Sequence, residues 1–119
     1  GEADWQRYAE YPAAFREFIS RFQTAIGVAN MPVIVGGAVI PDPANPSALV
    51  TMQRTFDKDS GHSDSIPNVT YYDGPAGPQH INIGDTVHFT TAANRLRGDF
   101  AGGLAYLIGR DDMSPRWWV

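Results

Sequence analysis

The chain has 119 residues, enough for one small domain, and 43% hydrophobic with 18% charged residues is a globular rather than a disordered composition. Its net charge is −4, and its arginines (Arg7, Arg16, Arg21, Arg54, Arg95, Arg97, Arg110 and Arg116) are scattered without a basic run, which argues against a nucleic-acid partner. No cysteine is present, so disulfides, thiolate metal sites and cysteine nucleophiles are excluded; no stretch approaches a membrane span and no signal peptide is visible.

In chain order, "GEADW" reads as a loop leaving a strand, and residues 5–10 read as a separate helical turn with Asp4 as its cap. The clearest helix is "YPAAFREFISRFQTAIG". Phe15, Phe18, Ile19, Phe22 and Ile26 follow the three-and-four spacing of one apolar face, Pro12 suits the first turn, and Gly27 suits the stop. Residues 31–40, "MPVIVGGAVI", form a continuous β-branched run expected to be a strand buried on both faces, as in a parallel sheet. The loop "PDPANPSA" leads to an expected helix over 47–57, with Ser47 as its cap. Residues 68–73, "NVTYYD", are a second strand, with one of Tyr71 and Tyr72 expected inward and the other outward. After the shaped loop "GPAGPQHINIG", a final helix is expected from Thr91 to about Leu107, with Leu96, Phe100, Leu104 and Leu107 on one face. Gly98, Gly102 and Gly103 weaken that helix intrinsically, so packing must support it.

The order helix, strand, helix, strand, helix is half of an α/β sandwich. Two parallel strands cannot cover both faces and manage both edges of a sheet, and a complete doubly wound domain needs about five strands. The remaining strands are therefore expected from another chain or from a longer polypeptide.

The residues with chemistry to offer begin with "NIGDTVHFTTAAN", residues 82–94. At this spacing Asp85 can accept a bond from the Nδ1–H of His88, which fixes the tautomer and leaves Nε2 to take a proton from a hydroxyl. Alternatively, Asp85 caps a turn and His88 is a half-buried loop residue. On spacing alone both readings stay open.

Five blocks in order carry a resemblance: "GEADW" (1–5), "YPAAFREFISRF" (11–22), "MPVIVGG" (31–37), "MQRTF" (52–56) and "GDTVHFTTAANRLRGDFA" (84–101). Together they resemble the carboxyl-terminal half of the SGNH (GDSL-like) hydrolase superfamily, in its branch of sialic-acid O-acetylesterases and acetylxylan esterases. The resemblance implies a single esterase domain of which residues 1–119 are the carboxyl-terminal half. Its implied fold is a three-layer α/β/α flavodoxin-like sandwich of parallel strands. It implies His88 as catalytic base, with Asp85 or Glu2 as the triad acid and Asp4 as a candidate for the substrate pocket. His80, whose stretch "GPQHINIGD" runs into the same block, is a second candidate to line a sugar pocket, with an ordinary loop histidine as the alternative. The amino-terminal blocks that carry the family's nucleophilic serine and its oxyanion glycine have no counterpart here. Where the generic family places an oxyanion-donating asparagine nearby, this chain has Gly1, Glu2, Ala3 and Asp4, and an ionised carboxylate cannot donate a hydrogen bond.

The implied function is serine-mediated deacetylation of an acetylated carbohydrate, with the serine supplied by the amino-terminal half as partner. No cofactor or metal is expected, no membrane partner is expected, and a secreted or extracytoplasmic location is compatible with the resemblance. The alternative is a non-catalytic carbohydrate-binding or assembly module of the same architecture. A third reading is a metal site built from His62, His80, His88 and nearby carboxylates. The segment "DSGHSDS", residues 59–65, mimics a triad in composition, but a solvated loop offers Ser60 or Ser63 no nucleophile scaffold. Trp5, Tyr71, Tyr72, Trp117 and Trp118 raise sugar stacking, but aromatics are also the commonest core anchors, and Trp117 and Trp118 are expected to pack against the missing half or a neighbouring subunit.

Overall fold

The computed structural model describes residues 6–85 and 87–109. Glu2, Asp4, Trp5, Trp117 and Trp118 lie outside the described residues. The elements run α1 (Tyr11–Ile26), β1 (Val33–Gly36), α2 (Ala48–Arg54), β2 (Val69–Tyr72), a 3-10 turn (Pro78–His80) and α3 (Thr91–Gly109). This is a small α/β domain whose two strands pair in parallel, Val33 opposite Val69 through Gly36 opposite Tyr72.

Local chemistry sets these boundaries. Pro12 sits in the first turn of α1, where a missing N–H costs nothing, and Gly27 closes the helix at φ 72°, a left-handed conformation that other residues resist. Ser47 caps α2 by accepting a bond from the Val50 N–H.

Alternation of side chains sorts the strands' two faces. Val33, Val35 and Val69 pack against α1 and the segment after α2, in a core of Ile19, Phe56 and Ile66 with Tyr11 and Phe15 stacked beside Phe56. On the other face, Tyr72 meets Phe100 of α3 and donates a hydrogen bond to the Arg97 carbonyl at 3.1 Å. Both tyrosine rings are therefore half-buried, on opposite faces, rather than one in and one out.

The run 31–40 is not one buried strand. Only Val33–Gly36 is ladder, and all four residues are half-exposed, whereas Ala38, Val39 and Ile40 beyond it are buried. Glycine causes the interruption. A Cβ on Gly36 would stand 2.7 Å from the Tyr72 hydroxyl, and one on Gly37 would stand 2.1 Å from the Tyr71 hydroxyl, so the glycine pair lets a tyrosine cross β1 on each face. The chain then leaves the ladder. The Ala38 N–H turns to the buried Gln53 side chain at 2.9 Å, and parallel pairing resumes at an isolated bridge between Ile40 and Ala76.

The two sheet edges are unlike. β2's outer edge is closed, because Lys58 N–H donates to the Val69 carbonyl and Tyr71 N–H donates to Asp57 Oδ2. On β1, Val33 and Gly37 donate toward β2, so Ile34 and Gly36 direct their amides and carbonyls to the opposite side, where the described residues provide no strand. Beside this open edge, Phe18, Ile19, Phe22, Met31, Pro32, Val33 and Ile34 line an apolar groove. The α1 stripe is thus only partly used: Ile19 is buried, while Phe18 is 61% exposed and Phe22 46% exposed.

The inward stripe of α3 also differs from the expected one. It runs through Ala93, Arg97, Phe100 and Leu104, and Leu96 is exposed. A core-facing arginine buries its stem and keeps a polar head, which a reading based on apolar periodicity passes over.

Candidate functional site

Residues 80–85 and 87–90 belong to a narrow, hairpin-like loop at the carboxyl end of the sheet, leading directly into α3. Ile81 and Phe89 bridge in antiparallel fashion. The Thr90 N–H donates to the His80 carbonyl at 2.8 Å, and the Asn82 N–H donates to the His88 carbonyl at 3.1 Å. The Asp85 N–H closes the turn on the Asn82 carbonyl at 3.0 Å, and Gly84 takes the positive φ the turn requires. The Thr90 hydroxyl then caps α3 by accepting from the Ala93 N–H.

Within that loop the Asp85 carboxylate does both things the spacing allows. Its Oδ1 accepts from the Val87 N–H at 2.9 Å and the His88 N–H at 3.3 Å, which shapes the turn. Its Oδ2 lies 2.6 Å from His88 Nδ1. An ionised carboxylate only accepts, so the imidazole proton belongs on Nδ1, and Nε2 is left as a free lone pair in the neutral ring. His88 is 73% exposed and Asp85 27% exposed, so the carboxylate is sheltered while the imidazole edge faces outward. The chemical capacity of this pair is proton acceptance at Nε2 followed by proton return.

A second layer holds the loop down. Phe89 is buried with Val39 and Ala93, and its ring lies against Gly74, where a Cβ would stand 3.1 Å away. The Arg97 guanidinium lies 4.5 Å from the Phe89 ring centroid, and Arg97 Nη2 donates to the Gly37 carbonyl at 3.3 Å. Arg97 Nε is buried with no hydrogen-bond partner among the described residues, a burden of about 1–3 kcal/mol that contact with the aromatic face partly offsets. Sequence reasoning gave Arg97 no role. The available signal was an arginine at the fourth residue after Ala93 and the third before Phe100, on the helix's inward side.

His80 is half-buried at the end of the 3-10 turn, and its backbone carbonyl anchors Thr90, so the structure gives it a role in loop closure. Glu2 and Asp4 lie outside the described residues. In the segment 59–65, Ser60 Oγ donates to the Thr55 carbonyl, His62 Nδ1 accepts from the Asp64 N–H, and the Asp64 carbonyl accepts from Arg16 of α1, so these groups hold the loop's turns and tie it to its neighbours. Among the described residues, no group of three or more His, Asp or Glu side chains gathers as a metal-ion site, and His62, His80 and His88 are not brought together as one. No described helix is long and apolar enough to cross a membrane.

Across the sheet from Phe89, Tyr71 donates to Asp73 Oδ1 at 2.8 Å, and Arg54 forks onto the same carboxylate at 3.1 and 2.8 Å. Burial first, and the Asp73 bond second, push the Tyr71 phenol well above its ordinary pKa. The Asp73 partner likewise holds Arg54 more firmly protonated.

Comparison of the chain with protein-family models, with characterised proteins and with solved structures returned no match.

Proposed function

We propose that this chain is the carboxyl-terminal portion of an SGNH-type serine esterase acting on O-acetylated carbohydrate, with a three-layer flavodoxin-like sandwich completed by an amino-terminal half. The observation that carries the reading is the Asp85–His88 pair. A 2.6 Å contact at Nδ1 leaves Nε2 directed away from its acid partner, at the end of a parallel sheet where α/β enzymes place their ligands. The uneven edges of the sheet support it as well. The β2 edge is sealed by Lys58 and Asp57, while β1 offers an open ladder beside uncovered Phe18 and Phe22.

In this reading, the serine hydroxyl comes from the completing half. His88 Nε2 takes the hydroxyl proton as the oxygen attacks the acetyl carbonyl, and the same proton passes to the departing sugar oxygen. Asp85 stabilises the imidazolium formed between those steps. Water then attacks the acyl-enzyme, giving its proton to Nε2, and acetate leaves as the serine is reprotonated. Glu2 is the alternative acid, and Asp4 and His80 are the proposed contacts to the sugar.

The experiment is aryl acetate hydrolysis by this chain alone and with the amino-terminal complement. No turnover alone, turnover on combination, and loss on His88→Ala support the esterase. Assembly with the complement that tolerates His88→Ala and yields no hydrolysis identifies the non-catalytic assembly module instead.

A further inference from the structure

We propose that Arg97 is a positioning residue for His88, acting through Phe89; this rests on the reading of His88 as the base. The contact chain is continuous. The carbonyl of Gly37, the residue after β1, takes the guanidinium's Nη2 at 3.3 Å, the guanidinium lies 4.5 Å from the Phe89 centroid, and Phe89 is the residue after His88. Both ends of this chain are confined by missing side chains. A Cβ on Gly36 would stand 3.1 Å from Arg97 Nη2, and one on Gly74 would stand 3.1 Å from the Phe89 ring. The helix backbone is tied as well, since the Tyr72 hydroxyl donates to the Arg97 carbonyl.

The residue type is the informative part. Position 97 lies on the inward stripe of α3 between Ala93 and Phe100, where leucine or methionine would fill space without stranding a polar atom. Arginine there leaves Nε buried and without a partner, and no carboxylate pairs with it among the described residues. What arginine adds over an aliphatic residue is direction. A cation bonded to the backbone carbonyl just beyond β1 and held over one aromatic ring ties that ring to the sheet. That selects a single seat for Phe89, and so a single path for the backbone that carries the exposed His88 imidazole to Asp85. Among the described residues, the side-chain bond of His88 is the one to Asp85, so loop placement decides whether the 2.6 Å contact persists.

The test is the imidazole tautomer of His88, read from its ring 15N shifts in the full chain, for wild type, Arg97→Met, Arg97→Lys and Phe89→Leu. The expected result is a predominant Nδ1–H tautomer in wild type and a mixed population in Arg97→Met and Phe89→Leu, at unchanged far-ultraviolet circular dichroism. Arg97→Lys, which keeps the charge without the planar face, is expected to fall between them and guards against a methionine variant that fails to fold. With the complement present, Arg97→Met should lower kcat about tenfold or more at unchanged KM. Wild-type 15N shifts in folded Arg97→Met and Arg97→Lys would overturn the proposal. If the tautomer responds but no variant, wild type included, hydrolyses ester, the positioning stands and the esterase reading falls.

Discussion

Asp85 holds His88 by two routes at once: Oδ2 meets Nδ1 at 2.6 Å, and Oδ1 accepts the His88 backbone N–H at 3.3 Å. One side chain therefore sets both the course of the loop and the orientation of the ring it carries. The two roles separate under substitution. In Asp85→Asn, the side-chain oxygen can keep the Val87 and His88 amides, but the imidazole loses its anionic partner. Stability should change little while esterase turnover of the combined protein falls on the order of 10³–10⁴-fold, as expected when a triad acid loses its charge. Asp85→Ala removes the turn as well and should add a loss of about 1 kcal/mol in denaturant unfolding.

The glycine pair after β1 gives a packing prediction. Gly37→Ala drives a Cβ against the Tyr71 hydroxyl, which Asp73 holds in place. The cost should be about 1–3 kcal/mol in unfolding free energy, as for other overpacked sites. Tyr71→Phe in the same chain removes the clashing oxygen, so the double variant should recover part of the loss. Measured additivity of the two substitutions would contradict this contact.

Tyr71 also predicts an alkaline limit. Its phenol ionises near pH 10 when unfolded and well above that when folded, because burial and then the Asp73 carboxylate disfavour the phenolate. The unfolded chain therefore loses this proton first as pH rises. The resulting stability is fully present below about pH 10 and declines above it. Unfolding free energy measured from pH 8 to 11 should fall more steeply in wild type than in Tyr71→Phe.

Much of the fold was legible because it depends on local chemistry. Pro12 and Gly27 bound α1, Ser47 starts α2, and the β-branched and aromatic run 69–72 is the second strand. The first strand was overestimated because Met31–Ile40 is apolar throughout. Only the encounter of Gly36 and Gly37 with two tyrosines, distant in sequence, shows where the ladder stops. The expected face of α3 was misplaced for a related reason. Arg97 does the work of a core residue, and periodicity counts it as a surface one. The Asp85–His88 contact and the Asp85 turn cap were both readable from spacing three, and both are present, whereas His88 is largely exposed rather than half-buried.

The measurement that bears most directly on the central claim is aryl acetate turnover by this chain combined with its amino-terminal complement, with and without His88→Ala. His88 is largely exposed, so the substitution should leave unfolding free energy within about 0.5 kcal/mol. The account predicts hydrolysis only in the combination, and its loss by at least about 10³-fold in the variant. Turnover by the isolated chain that survives His88→Ala would contradict it.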